Sequence, residues 1–346
     1  MSDQHVGEPV RYLSTLSFDE DWLARLQAAV PEVEVRQIPA RSPAEVPSSV
    51  WAEVDVLHTS AVFPAPAAAP SLRWIQLDTS GVDHVSAEPI WASDVAVTTI
   101  GGVSPVPLAE YVLWAILGTA HRLPQLRQVT TSREWPDPTS RWQRFLPASL
   151  PGATLVVVGY GRIGREIGRL ADAFGMKVVG VTRSGSAGRA EAPLLADFAP
   201  SRHSPDPAQI VGPERLQEVA ATADYLVVIV PLTPETRNLV DAEVIAGLKP
   251  GAAVINVARG GIVDEQALAA ALRSGAISGA VLDVFEVEPL PPTATWWDEP
   301  NCFVTPHVAG LAPLYSDQVL DLVSSNLRRF VNGEPLLNLV DRERGY

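Results

Sequence analysis

The stretch TLVVVGYGRIGREIG, Thr154 to Gly168, decides the fold. Its apolar run, Leu155 to Val158, leads into Gly159-x-Gly161-x-x-Gly164, and Ile163, Ile167 and Leu170 then recur at helical spacing. This is strand, tight turn, helix. The first glycine permits the turn, the second lets the backbone approach a phosphate, and the third lets helix and strand pack closely. The first helical turn, Arg162 and Ile163, offers N–H groups and a partial positive charge to a pyrophosphate. The alternative is a merely structural glycine turn. The strand before it and the helix after it favour a dinucleotide site.

The chain of 346 residues can bury a large core and is long enough for two domains. Hydrophobic residues make up 47% and charged residues 19%, a globular balance. A net charge of -14 disfavours nucleic acid or an anionic membrane as a partner and serves solubility. Cys302 is the single cysteine, so no intrachain disulfide can form, as suits a reducing compartment. The first residues, MSDQHVGEP, have neither a basic region nor an apolar run, and no signal peptide is read there. The most apolar long stretch, Val103 to Ala120, is too short and too interrupted by prolines and Glu110 to span a bilayer. A soluble, cytoplasmic protein is expected.

The first hundred residues alternate short apolar runs with helical text. Strands are expected at Val10–Ser14, Val33–Ile38, Val54–His58, Leu72–Leu77 and Val95–Ile100. Asp19–Val30 reads as a helix, and the Pro/Ala-rich Val62–Pro70 as a surface loop. Pro105–Arg122 reads as a broad apolar helix, and Leu123–Pro151, rich in Pro, Trp and Arg, as an irregular arm and possible subunit contact. After Thr154 come strands at Lys177–Val181, Tyr225–Val230, Ala252–Val257, Gly279–Val284 and Cys302–Thr305. A helix over Asp264–Arg273 has Asp264 as N-cap and Gly275 as its stop. The Pro/Ala/Ser-rich text between Ser184 and Pro213 reads as an exposed insertion, and helix resumes after Gly310 to Val331. Strands alternating with helices predict an α/β protein of two doubly wound parallel sheets. If the tail packs back, residues 1–104 and 311–346 form one domain, and 105–310 is a dinucleotide-binding domain inserted in it.

Ligands of such sheets bind beyond the carboxyl ends of the strands. Arg259, Glu288 and His307 each follow a predicted strand, on the edge where the glycine turn would hold its ligand. Arginine clamps a carboxylate bidentately, and histidine exchanges a proton near neutral pH. A carboxylate beside that histidine orients the ring and favours its protonated form. Each residue also has a plainer reading. Arg259 could cap a helix or pair with an acid, Glu288 could be a solvated loop charge, and His307 could be a turn residue after Pro306. No His/Cys cluster has metal-ligand spacing.

At this point the text resembles a known family. NVARGGIVD at 256–264, LDVFEVEP at 282–289 and TPHVAG at 305–310 look like signatures of NAD(P)-dependent D-2-hydroxyacid dehydrogenases. VVGYGRIG at 157–164, VPLTPET at 230–236 and TSGVD at 79–83 extend the likeness, from about Leu72 to about Leu336. The resemblance implies a flavodoxin-like substrate domain and an inserted Rossmann domain. It also implies a homodimer made through the cofactor domain. Arg259 would hold the substrate carboxylate and carbonyl. His307 would be the acid when a 2-oxo acid is reduced, and Glu288 would pair with it. Ser80 and Gly81 would offer backbone N–H groups to the carboxylate. Asp283 would face the nicotinamide carboxamide, and Pro231 and Thr236 would border the cofactor.

One departure bears on the cofactor. An acid about 20 residues past the first glycine usually holds the ribose hydroxyls of NAD. Here the second strand ends Val181-Thr182-Arg183-Ser184, and no acidic residue lies between Asp172 and Glu191. Thr182, Arg183 and Ser184 could receive a 2′-phosphate, which favours NADP(H) over NAD(H). Trp296 and Trp297 could wall the substrate pocket or simply pack. The expected function is reduction of a short 2-oxo acid of the glyoxylate or hydroxypyruvate kind, reversibly, to a D-2-hydroxy acid. The alternatives are an NAD-dependent dehydrogenase for another 2-hydroxy acid, and a cofactor-sensing binding protein like the transcriptional corepressors of this fold.

Overall fold

In the computed structural model, which describes residues 9–103, 105–186, 207, 209–299, 301–311 and 315–345, the chain forms two units. One takes residues 9–103 and 315–345, and the other takes the described residues between them.

The first unit is built on β1 (Val10–Ser14), α1 (Glu20–Ala29), β2 (Val33–Gln37), α2 (Ser48–Glu53), β3 (Val56–Thr59), β4 (Trp74–Leu77) and β5 (Ala96–Thr98). All its strand pairs are parallel, in the order β2-β1-β3-β4-β5, the flavodoxin-like order expected. Neighbouring residues of a strand face opposite sides. Leu13, Leu57, Ile75 and Val97 therefore enter one core, while Tyr12, Val56 and Trp74 enter another. The C-terminal helix Tyr315–Val331 covers the second face with Val319, Leu320, Val323 and Leu327. Asp19 caps α1 by accepting the Trp22 N–H at 2.8 Å. The segment Val62–Pro70 corrects the sequence reading: Val62, Phe63 and Ala69 are buried in the core, so only its middle is a surface loop. Small apolar residues beside proline gave no periodic cue to that burial.

The second unit starts with α3 (Pro105–Ala120), α4 (Leu123–Ser132) and α5 (Pro138–Phe145). Its sheet and helices follow: β6 (Thr154–Val158), α6 (Arg162–Ala173), β7 (Lys177–Val181), β8 (Gln209–Val211), α7 (Leu216–Ala220), β9 (Tyr225–Val228), α8 (Ala242–Ala246), β10 (Ala253–Asn256), α9 (Glu265–Ser274), β11 (Gly279–Leu282) and β12 (Cys302–Val304). The seven strands are parallel, in the order β12-β11-β10-β9-β6-β7-β8. Counted from β6, this is the Rossmann order 3-2-1-4-5-6 with one strand added. Val156, Val158, Leu226 and Val254 face one core, and Leu155, Val157, Val227 and Ile255 the other. Leu155 to Val158 are all 0% exposed, so each stabilises the sheet by roughly 1.5–3 kcal/mol and the turn after β6 has a firm base.

Two further readings are corrected here. The arm Leu123–Pro151 carries two helices, α4 and α5. Neither buries a residue, so neither shows the apolar period of a packed helix. Asp137 accepts the Thr139 and Ser140 N–H groups and starts α5 with Pro138 at its head. The expected insertion 184–213 ends in β8, a three-residue edge strand. Residues 187–206 and 208 lie outside the described residues.

Candidate active site

The glycine turn lies where the strand order reverses, between β6 and β9. Gly159 has φ 109°, and a Cβ there would stand 2.6 Å from the Ile229 carbonyl oxygen. Only glycine fits that backbone. A Cβ on Gly164 would strike the Gly159 carbonyl, so α6 packs directly on the turn. Gly161, the N-cap of α6, differs: nothing lies within 4 Å of a Cβ built there. The space beside Gly161 is open, and the first-turn N–H groups that follow it lie outside the helical ladder. Those features fit the pyrophosphate of a dinucleotide.

Past β7, Thr182 donates its hydroxyl to the Ser186 carbonyl at 3.0 Å, and the Ser184 and Ser186 hydroxyls meet at 2.9 Å. Arg183 is exposed on this small turn. Its charge reaches Glu235, whose carboxyl lies below the usual range, chiefly through the Thr233 hydroxyl and to a smaller extent through Arg183. Pro231 and Thr236 close their own loop, the Thr236 hydroxyl donating to the Pro231 carbonyl at 2.6 Å.

Arg259, Glu288 and His307 follow β10, β11 and β12, which are neighbours in the sheet. Asn256, buried at the end of β10, brackets the arginine turn: its Oδ1 accepts the Ala258 N–H at 3.1 Å and its Nδ2 donates to the Arg259 carbonyl at 3.2 Å. The Arg259 guanidinium donates to the Ala258 carbonyl at 2.8 Å. Gly260 presses on the Phe285–Glu286 peptide so closely that a Cβ has no room. The arginine loop and the Glu288 loop therefore touch backbone to backbone at Gly260.

His307 Nδ1 meets Glu288 Oε2 at 2.8 Å, and Glu288 Oε1 accepts the Phe285 N–H at 2.9 Å. A carboxylate partner places the hydrogen on Nδ1, leaving Nε2 to exchange a proton. The His307 side chain is 47% exposed, so that nitrogen is reachable. Asp283 is buried, and its carboxylate accepts the N–H groups of Val308 and Ala309, both at 2.9 Å. Glu265, at the head of α9, accepts the Glu286 N–H at 2.7 Å and the Trp296 Nε1–H at 3.2 Å. Its carboxyl is pushed up, first by burial and then by the charges of Glu286 and Glu288, against those two hydrogen bonds. Trp296 packs on Phe285 within the core, whereas Trp297 is half-exposed.

In the first unit, Ser80 and Gly81 follow β4, and the Thr79 hydroxyl donates to the Gly81 carbonyl at 2.9 Å. Beneath them His58, fully buried, meets the Tyr12 hydroxyl at 2.7 Å through Nδ1 and stands 3.4 Å from Asp78 through Nε2. Sequence reasoning passed over Asn256, Gly260, Glu265 and His58. Asn256 and Gly260 stood inside a quoted motif. A lone histidine or glutamate in strand or helix text carried no signal of its partner. Among the described residues, no group of three or more His, Cys, Asp or Glu could hold a metal ion, and no helix is long and apolar enough to cross a membrane.

The model of the D-isomer specific 2-hydroxyacid dehydrogenase NAD-binding domain matches residues 113–309. A glyoxylate reductase of Thermococcus gammatolerans is 33% identical over 282 residues, spanning 80% of this chain and 78% of that one. A D-isomer specific 2-hydroxyacid dehydrogenase of Xanthobacter autotrophicus Py2, solved with NADPH and MES, superposes with a TM-score of 0.77. It is 33% identical and covers 97% of this chain and 100% of its own. An NADPH-dependent glyoxylate/hydroxypyruvate reductase of Sinorhizobium meliloti, solved with NADP and sulfate, has a TM-score of 0.76 and 26% identity, over 97% of this chain and 100% of that one. The chain belongs to the D-isomer specific 2-hydroxyacid dehydrogenase family and is an oxidoreductase that uses a nicotinamide dinucleotide.

Proposed function

We propose that this chain reduces a short 2-oxo acid of the glyoxylate or hydroxypyruvate kind to the D-2-hydroxy acid, with NADPH as the reductant, and that Arg259, Glu288 and His307 carry the reaction. The observation that carries this reading is the 2.8 Å pair of His307 Nδ1 and Glu288 Oε2 on a reachable imidazole. The bound nicotinamide supplies the hydride. Arg259 clamps the substrate carboxylate and draws charge from the neighbouring carbonyl. His307, protonated, gives the Nε2 proton to the carbonyl oxygen as that oxygen becomes a hydroxyl. Glu288 keeps the hydrogen on Nδ1 and balances the charge of the imidazolium. In the oxidative direction the neutral ring takes the hydroxyl proton back. Ser80 and Gly81 lend N–H groups to the carboxylate, and Asp283, Pro231 and Thr236 border the cofactor.

The glyoxylate reductase relative supports the substrate class, and the NADPH-bound neighbours support the cofactor. So does Arg183, exposed on the turn after β7, in a stretch of sequence with no acidic residue between Asp172 and Glu191. The same reading makes residues 1–104 and 311–346 the substrate domain and 105–310 the cofactor domain of a cytoplasmic homodimer. Trp135, Trp142 and Leu146, exposed at 87%, 72% and 55%, support a subunit contact on the arm.

Purified protein with NADPH and a panel of 2-oxo acids, followed at the nicotinamide absorbance, tests the reaction. Turnover with glyoxylate or hydroxypyruvate is expected, and none with any short 2-oxo acid refutes it. Loss of one charged hydrogen-bonding partner costs about 1.5–3 kcal/mol, so Arg183→Asp should weaken NADPH on the order of 10- to 100-fold and NADH little. Equal weakening of both refutes the phosphate role.

A further inference from the structure

His307 occupies the left-handed backbone region, with φ 54°. A residue with a side chain stays there only when its surroundings enforce it. Asp283, just past β11, does the enforcing. Its carbonyl accepts the His307 N–H at 2.9 Å, its Oδ1 the Val308 N–H at 2.9 Å, and its Oδ2 the Ala309 N–H at 2.9 Å. The whole turn that presents the imidazole thus hangs on one aspartate.

That aspartate is itself held. The Thr305 hydroxyl donates to Asp283 Oδ1 at 2.6 Å, and the Tyr111 hydroxyl lies 2.5 Å from Thr305 Oγ1. Threonine has one hydroxyl proton, and the carboxylate takes it, so Tyr111 must be the donor to Thr305. The order is Tyr111 to Thr305 to Asp283. Burial raises the Tyr111 hydroxyl to about 12, so it keeps its proton through the neutral range. Tyr111 belongs to α3, in a part of the sequence remote from Thr305. Trp114, one turn further along α3, stands 5.2 Å from the Tyr111 ring and 5.3 Å from Phe303 of β12. Helix and strand are therefore also braced beside the hydroxyl pair, through Trp114.

We propose that Tyr111 and Thr305 are positioning residues for His307. Their hydroxyls fix the Asp283 carboxylate, and that carboxylate fixes the turn from which the imidazole meets Glu288. The functional consequence rests on the reading of His307 as the proton donor. Neither hydroxyl touches the reacting atoms, and both act through Asp283. Displacement of a reacting group by about 1 Å can cost two orders of magnitude in rate, and partial loosening correspondingly less.

Thr305→Val keeps the shape and removes the hydroxyl, Thr305→Ser keeps the hydroxyl, and Tyr111→Phe removes the first donor. Thr305→Val should lower kcat on the order of tenfold. Its KM for the 2-oxo acid should change less than about twofold, and Thr305→Ser should restore kcat. Tyr111→Phe should fall in between, and it carries the test should Thr305→Val not fold. A readout independent of turnover is the ring resonance of His307 in protein labelled with 15N-histidine, assigned by its loss in His307→Asn. It should shift or broaden in Thr305→Val and Tyr111→Phe and stay in place in Thr305→Ser. If the wild type reduces no 2-oxo acid, the proposed reaction fails and this spectrum still decides the positioning role. An unmoved resonance in both hydroxyl-removing variants overturns the proposal. Parallel losses of kcat and NADPH affinity in all three variants do the same.

Discussion

Gly260→Ala tests the way the site is assembled. A Cβ on Gly260 would come closer than 3.0 Å to three backbone atoms, the carbonyl carbon and oxygen of Phe285 and the nitrogen of Glu286. Ordinary contact begins at 3.4 Å, so the two loops must part by more than about one ångström. No flexible side chain stands between them to absorb the movement. One loop carries Arg259; the other carries Glu288, which holds His307. Separation therefore shifts Arg259, the proposed carboxylate clamp, against His307, the proposed proton donor. A misplacement near 1 Å costs about 10²-fold, so kcat/KM should fall on the order of 100-fold, or about 2.7 kcal/mol of transition-state stabilisation. The glycine turn lies on other strands, and the Kd for NADPH should stay within about threefold. Steady-state reduction of glyoxylate gives the first quantity, and quenching of protein fluorescence by NADPH gives the second. Wild-type kcat/KM in a folded Gly260→Ala protein would falsify the direct backbone coupling of the two loops.

Two further tests separate packing from binding and work out a pH dependence. Gly161→Ala puts its methyl into open space at φ -86°, so its stability should stay within about 1 kcal/mol while NADPH binding weakens about tenfold or more. Gly164→Ala instead drives a methyl into the Gly159 carbonyl, and roughly 1–3 kcal/mol of overpacking outweighs about 1 kcal/mol of helix propensity. Thermal melts with and without NADPH check the pair, and a lower Tm for Gly161→Ala than for Gly164→Ala refutes the assignment. Glu265 has a folded-state pKa above its unfolded value, so the folded protein holds that proton more tightly. Its contribution is greatest below the ordinary glutamate range and is lost as pH rises through the raised folded value. Urea unfolding across that window should show wild type losing stability relative to Glu265→Gln as pH rises. A constant difference between the two proteins contradicts the burial argument.

Much of the fold was legible because burial on both faces of a parallel sheet leaves short apolar runs between helices. Lys177–Val181 was bounded as it stands, and Asp264 and Gly275 marked the two ends of α9. Helices α4 and α5 were hidden because they bury no side chain, so the apolar period that reveals a packed helix was never written. Their caps were written: Asp137-Pro138 starts α5 as clearly as Asp264 starts α9. Capping chemistry depends on the local backbone and survives where packing is absent. Strand β8 was hidden for another reason. Three residues at a sheet edge are too few to show alternation, and only pairing with β7 makes them a strand.

The candidate site was legible to the extent that topology made it so. Strands β10, β11 and β12 are consecutive in the sequence and adjacent in the sheet, about 4.8 Å apart. Residues just past their ends fall side by side without any further device, and Arg259, Glu288 and His307 inherit that order. What topology does not prescribe is orientation. Gly260 stood unremarked inside a motif, yet its missing side chain lets the two loops meet backbone to backbone. Asp283, read from the sequence, is a polar residue at a strand end aimed toward a cofactor. Its carboxylate accepts the Thr305 hydroxyl and the Val308 and Ala309 N–H groups, all from the turn that carries His307. Adjacent strands bring the chemistry to one edge, and backbone contacts between the loops then set its geometry. A substitution in those contacts should therefore act on kcat before it acts on binding.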